Sequence, residues 1–202
     1  MRHYVFLLLL IAGLSACARR PVQQDLPHSQ GNSVDHSRQH NLAIETSPNA
    51  SSAPYDLQFL DTMIAQHEAV IDMAQLAQTR ASTAKIKALA QDIITRHRAE
   101  IAEMRGVRDK YFGGAGPAIN IDLPGASDSF GALDLERLDD LKEKPFDLEF
   151  TRELTDTFKG SVLLAQDAPA RTSNETEASI SIHRLAQEIV ENRNRDLQDL
   201  RE

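Results

Sequence analysis

In the stretch Met63-Ile64-Ala65-Gln66-His67-Glu68-Ala69-Val70, one histidine recurs at helical intervals from two apolar residues. With about 100° between successive residues, His67 falls about 40° from Met63 and about 60° from Val70, so a titratable ring points into an apolar stripe. Further along, Ile93, His97, Glu100 and Met104 share a face in the same way. Imidazole, carboxylate and thioether together form a ligand set for copper, since His suits the cupric ion and Met the cuprous one, and nothing in the spacing demands zinc. Met63, His67, His97, Glu100 and Met104 are therefore the candidate metal ligands if the two stripes face each other. Against that reading stands the ordinary one: a single His on an apolar face is more often a satisfied core residue, and a Met there a gap filler. Glu68 and Asp72 lie on the flank and read as solvated groups.

The elements that must position these residues are helices. Phe59, Leu60, Met63, Val70, Ala74 and Ala77 trace one face of a first helix from Tyr55 to about Arg80. A second helix starts after Ser82 as cap, carries Ile86, Leu89, Ala90, Ile93, Ile101 and Met104, and stops at Gly113-Gly114. The connection, 113–145, opens with a Gly/Pro/Asp-rich loop, and Leu133, Leu138 and Leu141 suggest one short helix within it. A third helix spans Phe146 to Ala168 and ends at Pro169. The fourth opens with Thr172-Ser173-Asn174-Glu175, which has the spacing of a capping box, and runs to the C-terminus. Asp56-Leu57-Gln58-Phe59 is echoed by Asp147-Leu148-Glu149-Phe150, and Leu89-Ala90-Gln91-Asp92-Ile93-Ile94 by Leu185-Ala186-Gln187-Glu188-Ile189-Val190. This internal repeat predicts an all-α domain over 55–202: two helical hairpins, 55–112 and 146–202, that hide their stripes in a four-helix bundle.

Before that domain lies an address. Arg2 precedes an apolar run from Tyr4 to Ala12, too short for a spanning helix of roughly 20 residues, so residues 1–16 read as a signal peptide. The run ends in Leu14-Ser15-Ala16-Cys17, which resembles the lipobox of bacterial lipoproteins. Cys17 is the only cysteine, and a lone thiol in an oxidising compartment is most simply explained by lipidation. By the same resemblance, Ala18 after the anchor favours the outer membrane, facing the periplasm. Residues 17–54 are rich in Gln, Ser, Asn and Pro and read as a flexible tether. Its His28, His36 and His40 could hold a metal weakly but read more simply as solvated linker residues.

The string Phe59-Leu60-Asp61-Thr62-Met63-Ile64, with His67, Ile71, Met73, Ala74, and then Leu89-Ala90, Ile93-Ile94, Glu100-Ile101 and Met104, resembles the domain-of-unknown-function 305 family. The resemblance implies an exported, ferritin-like four-helix bundle, some relatives being linked to copper binding. It also sets out the departures. The family motif has two adjacent His, of which this chain keeps His67 and replaces the other by Gln66. In the second half the pair becomes Thr157-Phe158, Leu154 stands for the Met, and Leu163-Leu164-Ala165 stands where Met-Ala is expected. His97 stands where the family has Gln, a gained ligand. Arg193 and Asp196 align with His97 and Glu100 and read as an ion pair, so the second half has lost any site.

Two functions follow from these residues. One is a lipid-anchored envelope protein that binds or buffers copper. The other is a non-catalytic structural or interaction module whose ancestral metal site has decayed. A formal net charge of -8, which becomes about -9 once Arg2 leaves with the signal peptide, makes nucleic acid an unsuitable partner. Enzymatic activity is not expected: a bundle di-iron oxidase needs two Glu-x-x-His motifs, and only the reversed spacing from His97 to Glu100 occurs.

Overall fold

The computed structural model describes residues 44–48, 50–173 and 175–201, all of whose regular structure is helical. The signal peptide 1–16, the lipidation site Cys17 and the histidines His28, His36 and His40 lie outside the described residues. After a 3-10 turn at Ala50–Ser52 come α1 (Tyr55–Arg80), α2 (Ala84–Phe112), two short helices α3 (Ala126–Gly131) and α4 (Leu135–Asp140), then α5 (Glu143–Arg171) and α6 (Glu177–Asp199). The four long helices form an all-α bundle. α1 packs most closely on α2 and α5 on α6, α1 and α5 meet along the centre, and α2 and α6 touch more sparingly. None of the described helices is long and apolar enough to cross a membrane.

Phe59, Leu60, Met63, Val70 and Met73 of α1 interlock with Ala90, Ile93 and Ile101 of α2, Phe146, Phe150, Leu154 and Phe158 of α5, and Ile182, Leu185 and Ile189 of α6. Burying these side chains contributes about 1.5–3 kcal/mol each before the entropy of ordering them is counted. α1 departs from the single stripe predicted for it: Gln58, Asp61, Thr62 and Gln66 are buried as well. For Gln58, Asp61 and Thr62 the cause is the loop after α2, which folds back over the polar side of α1. Asn120 donates from its backbone to Thr62 Oγ1 (2.9 Å) and from its side chain to Gln58 Oε1 (2.7 Å), and Asp61 accepts from the Ala118 amide (2.8 Å). The same loop captures the chain ahead of the bundle. Ser47 donates to the Ile119 carbonyl at 2.8 Å, and Thr46 Oγ1 accepts from the Ile121 amide at 3.2 Å. The ordered domain therefore begins at least by Thr46, earlier than the boundary drawn at Tyr55, because backbone bonding offsets what apolar content could not.

Other boundaries move for local reasons. Thr83, not Ser82, caps α2 by accepting from the Ile86 amide (3.2 Å); Ser82 instead donates its N–H and O–H to Asp147 (2.9 and 2.6 Å). Thr176 caps α6 by accepting from the Ser179 amide (3.1 Å), displacing the start predicted at Thr172. α5 runs through Pro169 to Arg171. A proline in the last turn removes only one helical donor, and the Thr172 amide still reaches the Ala168 carbonyl (3.0 Å). α3 sits in a segment read as loop. It starts from Gly125 at φ 79°, and a Cβ on Gly160 would stand 2.6 Å from both the Gly125 carbonyl and the Ser129 amide, so two glycines let α3 lie directly on α5.

Candidate metal centre

His67 enters the core because Met63 and Val70, one turn to either side, hold that face of α1 inside. Ile93 and Ile101 do the same for His97 on α2. Both histidines are fully buried and their rings stand 4.6 Å apart, centroid to centroid. Glu100, one turn beyond His97, reaches back, and its Oε2 accepts from His67 Nε2 at 2.8 Å. One ligand atom from each of His67, His97 and Glu100 can be chosen so that all lie within 4.8 Å of one another. Ligands of one ion with bonds near 2 Å stand no more than about 4 Å apart, so a closure of under about 1 Å would let the three share an ion.

Met63 and Met104 are also fully buried. Met104 lines, with Glu100, Asn192 and Glu103, a groove of about 200 Å³ between α2 and α6. Met63 is sealed in the core one turn before His67 and does not line that groove. Glu68 is half exposed and pairs with Arg105 on the surface.

The second hairpin does not keep to itself. Arg193 and Asp196 form the ion pair expected from their spacing, Nη1 to Oδ2 at 3.1 Å with both side chains fully buried. The Arg193 guanidinium also crosses the bundle. Nη2 donates to both oxygens of Glu100 (2.9 and 2.7 Å), and Nη1 donates to His97 Nε2 (2.6 Å). Asn192 Nδ2 adds a bond to Glu100 Oε1 (2.7 Å), and Arg96 Nη2 stands 2.8 Å from Asp196 Oδ1. The Phe158 ring closes the far side, with the guanidinium carbon 4.9 Å from its centroid. The two halves thus share one network. Arg193 entering the first hairpin's site was missed because alignment of the halves placed it in a separate one; the visible signal was its position on the same α6 face as Ile189.

The bonding fixes the tautomers. A guanidinium only donates, so His97 Nε2 accepts and its Nδ1–H donates to the Ile93 carbonyl at 3.0 Å. A carboxylate only accepts, so His67 carries its proton on Nε2. Its Nδ1 is buried with no hydrogen-bond partner of good geometry; the Met63 carbonyl acts on the ring only weakly. Burial lowers the His67 pKa below the usual imidazole range, opposed by the bond to Glu100. Burial and then the Arg193 charge push His97 further down, so both rings are neutral. Burial resists ionisation of Glu100, but the hydrogen bond from His67 and the Arg193 charge outweigh it and hold the pKa at about 2. Burial pulls Arg193 down, against the charges of Glu100 and Asp196, and pushes Asp196 up, against Arg193 and Arg96.

The profile of the family described as "Domain of unknown function (DUF305)" matches residues 17–108. The match covers the first hairpin and the segment before it, somewhat less than half of the chain. The matched span holds α1 and most of α2, and with them all five candidate ligands. Among solved structures, a DUF305 fragment from Deinococcus radiodurans is 19% identical, over 74% of this chain and 94% of that one, with a TM-score of 0.61. CopM in its Cu(I)-bound form is 23% identical, over 72% and 92%, with a TM-score of 0.57. CopM in its Cu(II)-bound form gives 24%, 72%, 93% and 0.58. At these identities the likeness shows a common bundle fold. No curated protein matches the chain.

Proposed function

We propose that this DUF305 protein is exported, held to the outer membrane through a lipid on Cys17, and binds copper in the periplasm at His67, His97 and Glu100. The observation that carries the reading is the donor set itself. Two neutral, fully buried imidazoles and a carboxylate come within 4.8 Å of one another, and His67 Nδ1 keeps a buried lone pair that no protein group uses. Unpartnered polar atoms in a core are costly, and two buried imidazoles with a carboxylate at this separation fit a bound cation. Met104 offers a soft donor at the groove, which suits copper among the divalent and monovalent candidates. Solved structures of a DUF305-like bundle with Cu(I), Cu(II) and silver bound support the choice of ion. No reacting group in the pocket asks for more than binding, and buffering or transfer of the ion is the role.

The alternative, a structural or interaction module, draws on Arg193, whose guanidinium satisfies Glu100 and His97 without any metal. The deciding experiment uses the mature chain, residues 17–202, with Cys17→Ser so that the thiol does not compete. It is titrated with cuprous and cupric ions beside the same chain carrying His67→Ala and His97→Ala. One ion bound tightly by the first chain and not by the second supports the copper reading. Equal binding by the two chains sinks it and leaves the structural module.

A further inference from the structure

We infer that Arg193 is the resident cation of this pocket: its guanidinium sits on the donor atoms that a metal needs, so it must withdraw before they can ligate, and the charge it leaves selects singly charged ions. The inference rests on the copper reading above.

The atoms Arg193 occupies are the candidate ligands. Nη1 takes the lone pair of His97 Nε2 at 2.6 Å, and Nη2 takes both oxygens of Glu100. Neither histidine nor carboxylate can give the same lone pair to a second cation. Arg193 is fully buried and carries two carboxylate partners, so it is a costly group to move rather than a loose surface charge.

Charge then sets which ions the pocket accepts. The cluster comprises the carboxylates of Glu100 and Asp196 and the guanidinium groups of Arg193, fully buried, and Arg96, about a quarter exposed, two negative and two positive. With both histidines neutral, the cluster balances while Arg193 is in place. Once Arg193 withdraws, one negative charge is in excess. A singly charged ion restores the balance, whereas a doubly charged one leaves a buried positive charge without a partner, which is strongly unfavourable at low dielectric. Neutral imidazole and thioether donors add no charge of their own.

The structure also provides somewhere for the side chain to go. The groove between α2 and α6 is lined by Asn192, the neighbour of Arg193, and by Glu103 and Glu188. Those two carboxylates are now joined by Arg184 at 2.6 and 2.8 Å on the surface. α2 and α6 touch less than the helices within either hairpin and less than α1 and α5, so this seam between the hairpins is loosely packed.

The test uses the mature chain with Cys17→Ser, alone and with Arg193→Gln, each also carrying His67→Ala and His97→Ala. Silver(I), copper(I), copper(II) and zinc(II) are titrated by chelator competition, and folding is followed by circular dichroism. Arg193→Gln is expected to bind silver(I) and copper(I) on the order of a hundredfold more tightly, the gain expected when a buried pair no longer has to be broken. That gain should vanish with the two histidines, and both singly charged ions should bind before either doubly charged one. Unchanged or weaker binding by a folded Arg193→Gln chain, with the parent chain binding at the histidines, overturns the inference and leaves the copper reading intact. Binding by neither chain overturns the copper reading and the inference with it. Binding by Arg193→Gln alone supports Arg193 as the occupant while ending the copper reading for the natural chain. Preference for copper(II) or zinc(II) overturns the charge selection. If Arg193→Gln fails to fold, Arg193→Lys takes its place: a point charge cannot hold Glu100 bidentately, so about a tenfold gain is expected, and no gain overturns the inference.

Discussion

Arg193 on α6 donates to His97 on α2 across the bundle, a guanidinium nitrogen 2.6 Å from an imidazole nitrogen, with neither side chain exposed to solvent. A cation against a titratable ring fixes the ring's protonation state, and here both histidines of the pocket are held neutral, the His97 lone pair taken by Arg193 and His67 Nδ1 left without a hydrogen-bond partner. The same guanidinium ties Glu100 to Asp196, so the pocket is held by charges from both hairpins.

Removing one member of that network should be costly. Glu100→Ala leaves Arg193 with a single carboxylate in the core, and a loss of about 3 kcal/mol in urea unfolding is expected. Glu68→Ala, which removes the half-exposed partner of Arg105, should cost less than about 0.5 kcal/mol. Equal losses for the two would mean that the Glu100 network contributes no more than a surface pair.

The neutral histidines predict an acid limit for the metal-free domain. Burial lowers the folded-state pKa of both His67 and His97 below the unfolded value. Between those values the unfolded chain binds more protons, so stability rises with pH there and falls as pH drops below about 6.5. Urea midpoints measured from pH 8 to pH 5 should decline below that point. The decline should be shallower in His97→Gln, whose side chain does not titrate.

Glu153 works in the opposite sense. It is fully buried, its Oε2 accepts from the Asp134 amide at 3.1 Å, and burial pushes its pKa up to about 7. Between the unfolded carboxylate range, about 4.3, and that value, the folded chain holds the extra proton, so stability falls as pH rises through this window and is level above it. Glu153→Gln keeps an acceptor for the Asp134 amide and removes the titration. At pH 8 it should be more stable than the parent by about 1–2 kcal/mol, with the difference gone near pH 4.

The contact of α3 with α5 depends on Gly160. Gly160→Ala would place a methyl 2.6 Å from the Gly125 carbonyl, and a loss of about 2–3 kcal/mol is expected because the clash is with backbone. Gly106, with nothing within 4 Å of an added Cβ, is the control: Gly106→Ala inside α2 should stabilise by up to about 1 kcal/mol. Thermal denaturation of the two variants distinguishes these effects by sign.

Much of this was legible in the sequence because helical periodicity reports burial directly. Met63, His67 and Val70 fall on one face in any helix, and so do Ile93, His97 and Glu100, so both walls of the pocket are legible in the sequence. What could not be read is tertiary. Nothing in the local pattern of Asn120 or Thr46 says that they bond across to α1 and to each other's loops. Capping at Thr83 and Thr176 was misplaced by one to four residues because several hydroxyl residues stand at each start, and the one that caps depends on where the next helix must point. Arg193 was legible as an inward charge, but not as a charge directed at the other hairpin, because repeat alignment pairs equivalent residues and says nothing of contacts between non-equivalent ones.

Copper held by His67 and His97 together has a direct spectroscopic signature. X-ray absorption of copper(I) bound to the mature Cys17→Ser chain tests it most directly. Imidazole scattering from two histidines at about 2 Å is expected, reduced to the level of the tether's own histidines when His67→Ala and His97→Ala are introduced. A spectrum that the two substitutions leave unchanged would contradict it.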